Sequence, residues 1–217
     1  MTKEERYEKI LDYFIKNKPV AETELDYGTP YQLIVAVILS AQCTDKRVNI
    51  ITVDFFKRFP DVYKLAKAEE AEIYDYIKSC SYPNNKAKHL LGMAKMLVND
   101  YKGTLPSEVN ELMKLPGVGR KTANVLASVL YNQPAMAVDT HVFRVSARLG
   151  LTVNSKNPFD TEKQLIEHIP ENLIPIAHHW LILHGRYTCL ARKPKCEICG
   201  LTLYCKYYND NLKKLEV

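Results

Sequence analysis

Cys189, Cys196, Cys199 and Cys205 recur as C-x6-C-x2-C-x5-C, which gathers four of the six cysteines into one short stretch. Four thiolates hold either a tetrahedral zinc ion or a 4Fe–4S cluster. A structural zinc site usually presents two close pairs. Here only Cys196 and Cys199 form one, so the spacing leans toward iron–sulfur while leaving zinc open. Arg192, Lys193 and Lys195 fill the loop between the first two cysteines. A metal anchoring that loop turns its cations into a fixed phosphate-binding surface; the plainer alternative is a solvated basic loop offsetting a negative cluster. Cys43 and Cys80 stand alone in the sequence and read as small buried residues.

A second group of residues lies in Leu115-Pro116-Gly117-Val118-Gly119-Arg120-Lys121-Thr122, between two helical patterns. Pro116 ends or redirects the first helix, and Gly117 and Gly119 permit backbone angles closed to other residues. The first amides of the next helix then point outward with the helix dipole behind them, a ready phosphate site, which Arg120 strengthens. The spacing is not that of a Walker loop. Lys121 falls in the first turn of that helix. A positive helix end disfavours a second positive charge, so the position suits a neutral amine able to form a Schiff base, or else a phosphate-contacting lysine. Asp139, in Ala137-Val138-Asp139-Thr140-His141, is placed to cap the helix that follows. A carboxylate held there also suits stabilising a developing sugar cation or shuttling protons.

The elements that must position these groups are helical. Thr2 with Glu5 makes a capping box ahead of Tyr7, Ile10, Leu11, Phe14 and Ile15 at helical spacing. Pro30 opens an apolar helix over residues 31–41 that reads as buried on most sides, and Thr44 or Asp45 caps another. Further helices are predicted over 69–78, over 85–100 with Asn84 as cap, from Ser107 to 115, and over 120–131, 140–149, 161–169 and 171–185. No stretch alternates convincingly, although 135–138 is extended in character. Only 8 glycines in 217 residues, about half the usual ~7%, leave few tight turns for a many-stranded sandwich or barrel. The fold class is all-α.

The longest apolar run, residues 33–39, is far short of a membrane span of about 20 residues, and the start MTKEERYEKI has no apolar core after a basic region. The chain is expected in the reducing cytoplasm, where the cysteines are not paired as disulfides. The net charge of +5 is mild, but residues 178–206 hold five cations against Glu197 alone, a net +4 beside the cysteines.

Taken together, LIVAVILSAQCTD, NNKA, LPGVGRKTANV, AVDTHVFRV, HHWLILHGRYTC and the four-cysteine spacing make the chain resemble the endonuclease III family of helix-hairpin-helix DNA glycosylases with AP lyase activity. The resemblance implies two helical domains flanking a DNA-binding cleft. One is a six-helix barrel over 22–133 bearing the helix-hairpin-helix; the other joins 1–21 to 134–217 and carries the 4Fe–4S cluster loop. It implies a monomer acting on double-stranded DNA that contains damaged pyrimidines or abasic sites. Lys121 matches the family's nucleophile, Asp139 its catalytic aspartate, and the four cysteines its cluster ligands, which selects iron over zinc. Gln42 matches a glutamine that enters the emptied base stack. Tyr82 stands where the family usually carries a leucine wedge, with Pro83 following. Gly117, Gly119, Arg120, His141, Arg192, Lys193 and Lys195 are the expected backbone contacts. A related branch that excises mismatched adenine lacks a lysine at the position of Lys121.

Overall fold

A computed structural model describes residues 1–212, and among them there are helices and turns but no strand. The α-helices are α1 (Lys3–Asn17), α2 (Pro30–Ser40), α3 (Asp45–Arg58), α4 (Val62–Ala66), α5 (Glu70–Ile77), α6 (Pro83–Tyr101), α7 (Val109–Leu112), α8 (Arg120–Tyr131), α9 (Thr140–Leu149), α10 (Pro158–His168), α11 (Ile174–Tyr187) and α12 (Lys206–Leu212). Single 3-10 turns lie at Glu171–Leu173, Cys196–Ile198 and Thr202–Tyr204. The chain divides into two compact units. One spans Glu24–Tyr131; the other joins Met1–Thr23 to Asn132–Val217.

In the Glu24–Tyr131 unit, α2 is buried along nearly its whole length, from Leu33 to Leu39, as its unbroken apolar run requires. Around it α3, α6 and α8 present narrower apolar stripes, and α4 and α5 pack on α6. Phe55, Phe59, Leu65, Ile73, Ile77, Leu90, Met93 and Leu97 are fully buried in this unit. The Tyr31 hydroxyl, buried with them, donates to the Phe59 carbonyl at 2.9 Å.

In the discontinuous unit, α9 packs on α11, and α1, α10 and α12 complete the core. Phe14 of α1 stacks on Trp180 of α11 with centroids 5.5 Å apart, and the Trp180 indole N–H donates to the Lys18 carbonyl at 2.7 Å. The segment 135–138 is buried. Its Ala137 carbonyl accepts from Nδ1 of the buried His178 at 2.8 Å, so it meets its polar partner on a helix rather than in a sheet.

Several helix starts differ from the sequence expectation. Pro83, not Asn85, opens α6, because proline is already set for the first helical position; Tyr82 rather than Asn84 sits at the cap. Asn157 caps α10 through the Asp160 amide and Pro158 follows it, four residues ahead of the expected Thr161. Glu108, not Ser107, precedes the short α7, and the Ser107 hydroxyl turns to the Glu108 carboxylate at 3.5 Å. The helices α4 and α12 were not expected at all.

Gly185 shows how closely α9 and α11 approach. A Cβ built on it would lie 2.9 Å from both the His141 Cβ and a Val145 methyl. Gly185→Ala is therefore expected to lower unfolding stability by about 1–3 kcal/mol, the cost of overpacking a close contact. Urea denaturation of the variant and parent measures it.

Candidate nucleic-acid site and cysteine-lined hollow

The Leu115–Arg120 turn has the form that its glycines dictate. Gly117 holds φ at +81°, and a Cβ there would press to 2.9 Å from the His89 Cβ, so both conformation and space call for glycine. The Val118 amide closes the turn on the Leu115 carbonyl at 3.0 Å. Gly119 accepts the Ala123 amide on its carbonyl at 2.9 Å and stands at the cap of α8 with no side chain to offer the amides beyond it. A Cβ on Gly119 would meet nothing within 4 Å, so the space over the helix start is open. Lys121, in the first turn, is exposed, while Ala123 through Ser128 behind it are buried. The helix core is thus rigid where its reactive-type side chain reaches solvent.

Two loops of the same unit carry Gln42 and Tyr82, and both residues adopt left-handed backbone angles, φ 55° and 54°. For Tyr82 this conformation is doubly unfavourable, since it is a bulky residue and precedes proline. A hydrogen bond joins the two loops: the Ser81 hydroxyl donates to the Gln42 carbonyl at 2.6 Å. Tyr82 is left 63% exposed, an uncommon placement for a large aromatic residue. Beneath them, the ammonium of Lys86 is buried and donates to the carbonyls of Leu39 at 2.7 Å and Ala41 at 2.8 Å, satisfying the end of α2. Burial pushes the Lys86 ammonium below the ordinary lysine range.

Sequence reading missed the roles of Ser81 and Lys86. A signal for Lys86 exists: it precedes Leu90, Ala94 and Leu97 on the inward stripe of α6. Cys80 is buried as expected, whereas Cys43 is only half-buried, and the fold brings their sulfurs to 3.9 Å although they stand apart in the sequence.

In the other unit, Asp139 caps α9: its Oδ1 accepts from the Val142 amide at 2.8 Å and its carbonyl from the Phe143 amide at 2.9 Å. The carboxylate's other oxygen is not needed for the cap. Two residues on, His141 is partly exposed, and its Nδ1 lies 3.2 Å from the Arg144 guanidinium. A guanidinium only donates, so Nδ1 accepts and the neutral ring presents an Nε2–H.

Two arginines one turn apart on α9 hold the cysteine loop. Arg144 donates to the carbonyls of Gly185 at 2.8 Å and Cys189 at 3.1 Å. Arg148 donates to Leu190 at 2.7 Å, to Ala191 at 2.9 Å and to the Cys189 sulfur at 3.4 Å. The Lys195 amide closes the loop on the Thr188 carbonyl at 3.0 Å, leaving Arg192, Lys193 and Lys195 exposed on a pinned backbone.

Cys189, Cys196, Cys199 and Cys205 all line one hollow, together with Leu149, His184 and Tyr207. None of the four is in a disulfide. Burial, with the neighbouring thiols second, pushes Cys196 above the usual thiol range, and burial does the same to Cys199 and Cys205. His184, pushed down to about 4 by burial, places Nε2 3.7 Å from the Cys199 sulfur. Among the described residues no three His, Cys, Asp or Glu side chains stand close enough to hold a single ion. Four cysteine side chains lining one hollow are the donor set that four-cysteine metal centres use.

Residues 35–171 match the family model described as HhH-GPD superfamily base excision DNA repair protein. The endonuclease III of Rickettsia felis is 48% identical over 202 residues, covering 93% of this chain and 94% of the relative. That of Bacillus subtilis is 45% identical, covering 95% and 93%. The chain belongs to the endonuclease III family. Its fold agrees with the solved structure of a trapped endonuclease III–DNA covalent intermediate at a TM-score of 0.91, with 40% identity, covering 98% of this chain and 100% of the other. The expected all-α class and helix-hairpin-helix family therefore hold. No helix among the described residues is long and apolar enough to cross a membrane.

The cap at Asp139 separates structure from chemistry. Asp139→Ala is expected to lose about 1 kcal/mol of stability, whereas Asp139→Asn keeps the capping oxygen and stays within a few tenths of the parent. Thermal unfolding of the two variants distinguishes them. A fall in activity common to both then reports the carboxylate and not the cap.

Proposed function

We propose that the protein removes oxidised pyrimidines from duplex DNA and then cuts the strand at the resulting abasic site, with Lys121 as the nucleophile of both steps. The observation that carries this reading is an exposed lysine in the first turn of a helix that opens from a Gly117–Gly119 turn. A relative of the same family, captured as a covalent intermediate with DNA, supports it. The damaged nucleotide must leave the stack before any group can reach its glycosidic bond, at a cost of a few kcal/mol that is least for a lesion. Gln42 and Tyr82 fill the space it vacates. The α8 amides, Arg120, His141, Arg192, Lys193 and Lys195 hold phosphates on either side and set position without reading sequence.

The neutral amine of Lys121 attacks the sugar's anomeric carbon, forming a C–N bond as the C–N bond to the base breaks. The base leaves with the bonding electron pair and gains a proton. Ring opening gives an imine linking Lys121 Nζ to the sugar. Loss of a C2′ proton then expels the 3′ phosphate, and water releases the lysine. Asp139 stabilises the cationic sugar and serves the proton transfers through a carboxylate that α9 fixes in place.

Cys189, Cys196, Cys199 and Cys205 are the residues to hold a 4Fe–4S cluster. Bound there, such a group supplies a cross-link that fixes the basic loop bearing Arg192, Lys193 and Lys195. The protein acts as a monomer in the cytoplasm.

Borohydride reduces an imine to a stable amine, so adding it to protein and duplex containing an oxidised pyrimidine should yield a covalent complex. Lys121→Ala should abolish trapping; undiminished trapping by that variant would remove Lys121 as nucleophile. The purified protein should be coloured and contain about four irons per chain. Cys199→Ser should reduce that content, and a colourless zinc protein would overturn the cluster.

A further inference from the structure

Cys43 and Cys80 take no part in the chemistry above, yet the fold brings them together across 37 positions of sequence, with the Cys43 thiol donating to the Cys80 sulfur at 3.9 Å. No disulfide joins them. Each adjoins a residue held in left-handed conformation: Gln42 immediately precedes Cys43, and Tyr82 lies two positions beyond Cys80. Between them, the Ser81 hydroxyl already ties the two loops through the Gln42 carbonyl. Cys43 is reachable from solvent and Cys80 is buried. Burial and then the neighbouring Cys43 sulfur push the Cys80 thiol up to about 11, against the pull of the nearby Lys86 ammonium.

We infer that Cys43 and Cys80 form a reversible disulfide site, oxidised by a low-molecular-weight disulfide, and that the cross-linked protein engages damaged duplex less tightly than the dithiol. The second half rests on the role proposed above for Gln42 and Tyr82. The accessible Cys43 thiolate attacks one sulfur of the small disulfide, forming a mixed disulfide and releasing one thiolate. Cys80, after giving up its proton, attacks the Cys43 sulfur and expels the second small thiolate. Two protein thiols and one small disulfide become one protein disulfide and two small thiols. The protein loses two electrons and two protons, and the small disulfide gains them.

The contact of 3.9 Å must close to a bond of about 2.05 Å. That contraction draws the two loops toward each other and moves the residues flanking each sulfur. The Ser81 hydroxyl already holds the Gln42 carbonyl by one short hydrogen bond, and Gln42 and Tyr82 both stand at uncommon backbone angles, so the two loops cannot absorb the shift and still meet the base stack as before. A base stacked on an aromatic ring contributes about five- to 150-fold in affinity. Losing that contact should raise Kd at least about fivefold.

The test equilibrates the cluster-loaded protein with oxidised glutathione, blocks remaining thiols and maps the peptides by mass. The expected result is a linked Cys43–Cys80 peptide that dithiothreitol separates. The same oxidised sample should bind duplex carrying a tetrahydrofuran abasic analogue at least about fivefold more weakly by fluorescence anisotropy. Cys43→Ser and Cys80→Ser proteins, treated alike, should keep their affinity; having both guards against one of them folding poorly. Absence of the linked peptide, or a linked protein with unchanged Kd, overturns the inference. If the reduced protein neither binds nor traps abasic DNA, the proposed function falls and the coupling with it, whereas the linked peptide decides the disulfide on its own.

Discussion

Positive side chains seated on backbone carbonyls hold the functional loops of this protein. A loop cannot pair its carbonyls in a ladder, and a carbonyl turned inward without a partner costs about as much as a lost hydrogen bond. Arg144 and Arg148 of α9 meet this need for the last turn of α11 and the segment after it, taking the carbonyls of Gly185, Cys189, Leu190 and Ala191. The helix whose first residue follows Asp139 is therefore the helix that fixes the cysteine loop. Each grip relies on a planar guanidinium that reaches more than one carbonyl, which a lysine at either place would not reproduce.

The same device recurs in the other unit. Lys86 is buried at the end of α2 and takes the carbonyls of Leu39 and Ala41, immediately before Gln42. Desolvation disfavours its charge, and the hydrogen bonds to the two carbonyls compensate. From that anchor the chain turns through the left-handed Gln42, while on the neighbouring loop Tyr82 turns through the same uncommon conformation. Strain of this kind persists only where surrounding contacts over-determine it. Here the surroundings include the Ser81 hydrogen bond and the close sulfur pair.

Much of this arrangement was legible in residue order. The helices α8 and α9 begin and end where the cap and glycine signals place them, because Gly119 and Asp139 act within one turn of their own position. The Gly117–Gly119 turn was readable for the same reason. The starts of α6, α7 and α10 were misplaced where two cap candidates competed within a few residues. Proline at the first helical position decided α6 and α10, with Pro83 and Pro158 respectively.

By itself, the sequence determined the helical class, the hairpin with its lysine, the capping aspartate and the set of four cysteines. Each depends on residues a few positions apart, where periodicity and capping operate. Only the tertiary structure decided that Ser81 reaches Gln42, that Lys86 closes α2, that Arg144 and Arg148 grip the cysteine loop, and that Cys43 meets Cys80. Those partners are 39, 45 to 47, 41 to 45 and 37 residues apart. No local propensity encodes such pairs. They arise when packing of the apolar stripes brings distant loops within reach, and buried polar groups then take whatever partner the packing supplies.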